Sequence, residues 1–115
     1  MIVHVVYTYE TCDGKIFTDA KDAYEHETNY LYKKSGIRFY DESKDALIED
    51  VTLCYQKCNY FTIDHSKKKE NEFFLKAAWE NYGYLFPDDV LTNKSVKKYR
   101  YDTKINDWVP VSKND

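Results

Sequence analysis

The sequence predicts a small single-domain α+β protein, and three observations predict it. Runs rich in β-branched and aromatic residues alternate with segments that carry a capping residue and helical apolar spacing. The chain has 115 residues, room for one domain over residues 1–115. It is 43% hydrophobic with three Gly and two Pro, which excludes disordered and low-complexity classes. The expected order is an N-terminal β-hairpin, about three helices interleaved with short strands, and a C-terminal β-hairpin.

Residues 2–9 (IVHVVYTY) read as a strand and residues 15–17 as its return. Asp13-Gly14 makes the turn between them, because Gly accepts positive φ, and it puts Cys12 near the tip. Thr18 or Asp19 can accept an orphan backbone N–H and start a first helix. Its stripe is Ala20, Ala23, Tyr24, Glu27 and Leu31, and Gly36 stands where a C-cap would. Residues 36–40 read as a strand. Ser43 then caps a second helix with Leu47, Val51, Cys54, Tyr55 and Cys58 at i, i+4, i+7, i+8 and i+11. Residues 59–64 read as a strand. A third helix begins near Lys67–Glu70, buries Phe73, Phe74, Ala77, Ala78 and Trp79, and stops at Gly83. Residues 96–101 and 108–111 form the second hairpin, with Pro110 arguing for an edge strand because it lacks an N–H. The segment 17–23 echoes 40–46, sharing Lys-Asp-Ala. Either a repeated strand–helix unit or two convergent caps would produce that echo.

Twenty acidic and seventeen basic residues give a net charge of −3, which argues against a basic nucleic-acid binder, so direct nucleic-acid contact is not expected. No apolar run nears the ~18 residues that cross a bilayer, and no signal-peptide pattern is seen, so no membrane partner is expected. Three cysteines, an odd number without a secretion signal, point to a reduced, cytoplasmic protein. Asp41, Glu42, Asp45, Glu49 and Asp50 gather at the start of the expected second helix. They form either a solvated face or an acidic patch for a basic partner. Twelve tyrosines are the compositional outlier, and Tyr suits interfaces through its large rigid body and polar tip.

Cys54 and Cys58 share one helix face. They are either two zinc ligands, with Cys12 and His26 (or His65) completing the set, or small core hydrophobes. Zinc is thus the candidate cofactor. His26-Glu27 lacks the second histidine of HExxH, and no nucleophile elbow or phosphate loop occurs, so no enzyme is expected. Lys94, Lys97, Lys98 and Arg100 surround Tyr99 and Tyr101. In a strand, however, the two tyrosines share one face and Lys98 and Arg100 the other, which weakens a base-stacking reading.

The stretch YETCDGKIFTDAKDAYEHE at residues 9–27, with Asn106-Asp107-Trp108-Val109 near the end, resembles small bacteriophage and prophage accessory proteins of the anti-defence, anti-CRISPR-like kind. That resemblance implies an inhibitor that binds a host RNA-guided CRISPR nuclease, or another defence effector, and blocks nucleic-acid loading without catalysis. The expected contacts are Asp41, Glu42, Asp45, Glu49, Tyr99 and Tyr101. The alternative is a zinc-stabilised or nucleic-acid-contacting phage regulatory module.

Overall fold

The computed structural model describes residues 1–53 and 59–111. Strands β1 (Tyr9–Glu10) and β2 (Ile16–Phe17) form a two-residue ladder closed by Gly14 at φ 84°. Helix α1 (Ala20–Lys34) follows, capped by Asp19, whose side chain accepts from the Lys21 N–H. Strands β3 (Ile37–Asp41), β4 (Ala46–Ile48), β5 (Tyr60–Ile63), β6 (Lys98–Asp102) and β7 (Asp107–Pro110) make one antiparallel sheet in the order β4-β3-β5-β6-β7. Helix α2 (Lys68–Tyr82) lies between β5 and β6 in the chain. It ends on Gly83 at φ 69°, with the Gly83 and Tyr84 N–H groups returning to the Trp79 and Ala78 carbonyls.

Strand alternation sends Ile37, Phe39, Phe61, Ile63, Tyr99 and Trp108 to one face of the sheet, where all are buried. Helices α1 and α2 cover that face with Tyr32, Phe74 and Ala78, and the 84–96 connection adds Tyr84, Phe86 and Val90. The rings interlock: Phe61 lies 4.8 Å from Trp108 edge-on and 5.0 Å from Tyr99 in a stack, and Phe39 sits 6.0 Å from Phe74. Each such pair adds about 1 kcal/mol beyond area burial.

A buried amide joins the two layers. Asn71, in the first turn of α2, accepts the Gly36 N–H at 2.7 Å and donates to the Asp64 carbonyl at 2.9 Å, and Asp64 N–H donates to Gly36 O at 2.9 Å. A Cβ at Gly36 would stand 2.7 Å from Asp64 O, so the glycine serves close approach of β3 and β5. It does not cap α1. That role belongs to Ser35 in an extended conformation.

Four expectations are corrected. The first strand does not run over 2–9, because Tyr9 already pairs with Phe17 and the next positions of the return enter the Asp19 cap. Residues 1–7 extend away instead, with Ile2, Val3, Val5 and Val6 exposed, and the molecule measures 69 × 28 × 23 Å. The buried side of α1 is Ala23, Thr28 and Tyr32, while Tyr24 faces outward.

Two α-helices are present among the described residues, not three. Residues 43–53 are a turn, β4 and a 3-10 turn at Val51–Leu53. Asp41 folds the turn by accepting the Ser43 N–H and hydroxyl, and Asp45 adopts φ 48°, so Leu47 faces out while Val51 is buried. Cys54, Tyr55 and Cys58 lie outside the described residues. The echo between 17–23 and 40–46 therefore joins unlike structures, a helix start and a hairpin turn. Finally, α2 leaves Phe73 and Trp79 exposed and buries Asn71, Phe74, Ala77 and Ala78.

Asn71→Ala should cost about 1–3 kcal/mol in denaturant unfolding, since it leaves the half-buried Gly36 N–H without its acceptor and removes one of the two donors to the Asp64 carbonyl. Tyr99→Phe should keep or raise stability, because the buried Tyr99 hydroxyl has no hydrogen-bond partner among the described residues. A loss above about 1 kcal/mol in the Tyr99→Phe protein would contradict this.

Candidate binding surface

Helices cover one face of the five-stranded sheet, and no described element covers the other. Register brings Leu47, Tyr40, Tyr60, Arg100 and Val109 into one row across all five strands, β4 to β7. The next row is Arg38, Thr62 and Lys98. None of these side chains is fully buried. Tyr40 and Tyr60 stack at 4.9 Å with 12° between the planes, and Lys98 Nζ lies 4.2 Å over the Tyr60 ring. Arg100 donates to Glu42 at 2.9 Å across the same face. Burial, then the nearby Asp45 carboxylate, raises the Tyr60 hydroxyl above its ordinary pKa, so it stays neutral.

The two ends of this face differ in charge. At one end, Asp41, Glu42 and Asp45 form the β3–β4 turn. At the other, Arg38, Lys67, Lys97 and Lys98 line a shallow depression with Ser35, Gly36, Thr62 and Asp64. Arg38 is partly committed there, donating to the Tyr32, Lys33, Ser35 and Ile37 carbonyls at the end of α1. Lys67, Lys97 and Lys98 have no carboxylate in ion-pair contact among the described residues.

The residues singled out from sequence are distributed differently from their expected roles. Tyr99 is 1% exposed and belongs to the core, so it presents no contact surface, and Tyr101 is half-buried against Trp108. Asp41, Glu42 and Asp45 share a hairpin turn, whereas Glu49 lies past the far end of β4, beside Tyr32 and Arg38. The acidic group is therefore split along a strand and does not line one helix face. The Tyr40–Tyr60 stack was not legible in the sequence, because the pairing depends on β3–β5 register, which no local pattern carries.

The expected metal residues meet only in part. His26 Nε2 lies 2.8 Å from Asp13 Oδ2, and Glu27 accepts the Cys12 N–H at 3.0 Å, which latches the first hairpin to α1. Burial and the Glu27 and Asp13 carboxylates push the Cys12 thiol up, making it a poor nucleophile at neutral pH. His65 Nε2 is taken by the Val96 carbonyl at 2.7 Å. Among the described residues no three His, Cys, Asp or Glu side chains converge as a metal site, and Cys54 and Cys58 lie outside them.

Asp-x-Ser/Thr recurs as a structural device at Asp41, Asp50 and Asp64, each accepting the N–H and hydroxyl of the residue two ahead. The Ser43 and Ser66 hydroxyls hold the Asp41 and Asp64 carboxyls below their ordinary range, and the Thr11 hydroxyl and then His26 do the same for Asp13. At Asp50 burial pushes upward, but Thr52 and Asn29 bring the carboxyl below its usual value. A depressed folded-state pKa contributes stability that is present above the unfolded value, 3.8 here, and lost as pH falls through the folded value. Unfolding free energy should therefore fall as pH drops below about 4 in a denaturant series, and Asp50→Asn should flatten that fall. A pH-independent midpoint from 5 to 2 would contradict it.

Comparisons with protein-family models, with curated proteins and with solved structures each found no match.

Proposed function

We propose that this protein works by binding a macromolecule on the open face of its sheet and performs no bond chemistry of its own. The observation that supports this reading is the continuous Leu47–Tyr40–Tyr60–Arg100–Val109 row, aromatic and cationic groups held on a rigid antiparallel ladder. Rigid Tyr rings offer large contact area at small entropy cost, and Arg supplies directed donors. The alternative chemical centre, His26 with Asp13 and Cys12, is occupied in fastening the hairpin, and its thiol is held protonated.

The resemblance to phage anti-defence proteins gives this binding a purpose: inhibition of a host RNA-guided nuclease by occupying a surface needed for nucleic-acid loading. The acidic β3–β4 turn fits that role as a steering element toward a basic channel.

In a target-cleavage assay, saturating protein should suppress cleavage by the host nuclease. Lys98→Glu with Arg100→Glu should weaken suppression by at least about tenfold, the effect of about 1.4 kcal/mol of binding. Arg100 is half-exposed and its ion pair contributes little to folding, so this variant should fold. Phe73→Ala with Trp79→Ala, on the helix layer, should leave suppression unchanged. Unimpaired cleavage would remove the nuclease as partner. Pull-down from host lysate that survives the sheet variant and fails in the helix variant would overturn the open face as the working surface.

A further inference from the structure

We infer that residues 2–10 act as one strand that pairs antiparallel with the same strand of a second copy of this chain, joining two molecules across a two-fold axis. The strand outruns its partner. β2 covers only Tyr9 and Glu10, and the next positions of the return enter the Asp19 cap, so no described residue pairs with residues 2–8 along that edge. The other edge of β1 carries no strand among the described residues. Ile2, Val3, Val5, Val6 and Tyr7 are 68–82% exposed, on an arm that stretches the molecule to 69 Å.

Sheet edges are ordinarily blunted against pairing, by shortness, charge or proline. The five-stranded sheet follows that rule: its edge strand β4 has three residues, and its edge strand β7 carries Pro110. The arm has none of these devices. Residues 1–8 include no Asp, Glu, Lys, Arg, Pro or Gly, and five of them are Ile, Val or Thr. Its apolar side chains and free backbone groups fit another extended, uncharged strand, and a second copy supplies one. Pairing arm to arm uses the same surface on both molecules and closes at two. An arm added to β4 or β7 of the next molecule would run head to tail into an open chain.

The fold fixes which side chains meet. Tyr9 shares a face with its partner Phe17, whose ring lies 5.3 Å from that of His26 on α1. Alternation with period two continues that face through Tyr7, Val5 and Val3. A two-fold axis perpendicular to the sheet puts the same residue of both copies on the same face. Full overlap of residues 2–10 then centres on Val6 and sets Val5 against Tyr7 and Val3 against Tyr9, each twice. Aromatic and β-branched residues are favourable partners across an antiparallel ladder. A lone two-stranded ribbon is marginal in water, but this one is the centre of four strands in the order β2-β1-β1-β2. In each copy the hairpin is already fastened to α1 through His26–Asp13 and Glu27–Cys12. Helix α1 covers the opposite side of the five-stranded sheet from the open face, so the pairing leaves that face free and does not rest on its role.

The test is light scattering on the purified full chain across a concentration series up to 100 μM, under reducing conditions. The expected mass rises from 13.8 kDa to twice that value and stops there. Val5→Pro with Val6→Pro should weaken association at least about tenfold, because adjacent N–H groups point to opposite edges and one of the two must face the partner. The arm lies outside the core, so melting of this variant should match the parent. Mild oxidation of Val6→Cys should give a dimer cross-linked through residue 6, mapped by mass spectrometry. Ile2→Cys should give no such link, since Ile2 lies opposite Glu10. A mass that stays at the monomer or climbs past the dimer would overturn the inference. So would a dimer unmoved by the two prolines, or Ile2→Cys cross-linking to itself as readily as Val6→Cys.

Discussion

Among the described residues the helices bury one face of the sheet, and much of the structure follows from that. Two helices and one connection are enough to cover Phe39, Phe61, Tyr99 and Trp108, and nothing described remains to cover the reverse. Because side chains alternate with period two, each residue committed inward commits its neighbours outward. Burial of Phe39 and Phe61 therefore displays Tyr40 and Tyr60, and burial of Tyr99 displays Lys98 and Arg100. A one-residue slip of register would exchange the sets, placing cations in the core. The aromatic core thus stabilises the fold and also fixes the composition of the exposed face.

Polar ties set where the layers meet. Asn71 spans the Gly36 N–H and the Asp64 carbonyl, anchoring the start of α2 to the ends of β3 and β5. Tyr32 does related work at the other side of the core, donating to the Ile48 carbonyl and accepting the Phe39 N–H. Asn29 accepts the Val51 N–H at 2.7 Å and donates to Asp50 at 3.0 Å, so α1 grips the segment after β4. Such groups are worth little each when satisfied and cost much when orphaned, so they specify geometry more than they add stability.

Much of this was legible locally. The Asp13-Gly14 turn, the Asp19 cap, the Gly83 stop and the edge position of Pro110 follow from backbone chemistry within a few residues. The expected second helix failed at residues 43–53 because Leu47 and Val51, four apart, fit a helical stripe as well as a strand followed by a bend. Asp41-Glu42-Ser43 carried the deciding signal, an Asp-x-Ser turn, and so did the left-handed Asp45. The left-handed Asn106 in the second hairpin is a weaker signal than a glycine, since Asn visits positive φ less readily than Gly does. The candidate surface was the least legible. It joins residues 38–40, 60–62 and 98–100, which long-range register alone makes neighbours.

Tyrosine reactivity tests the one-sided burial most directly. Limited nitration of the native protein, mapped by mass spectrometry, should modify Tyr40 and Tyr60 well ahead of Tyr99 and Tyr32. Labelling of Tyr99 at the rate of Tyr40, or full protection of both Tyr40 and Tyr60 in the free protein, would contradict an open sheet face and the binding role built on it.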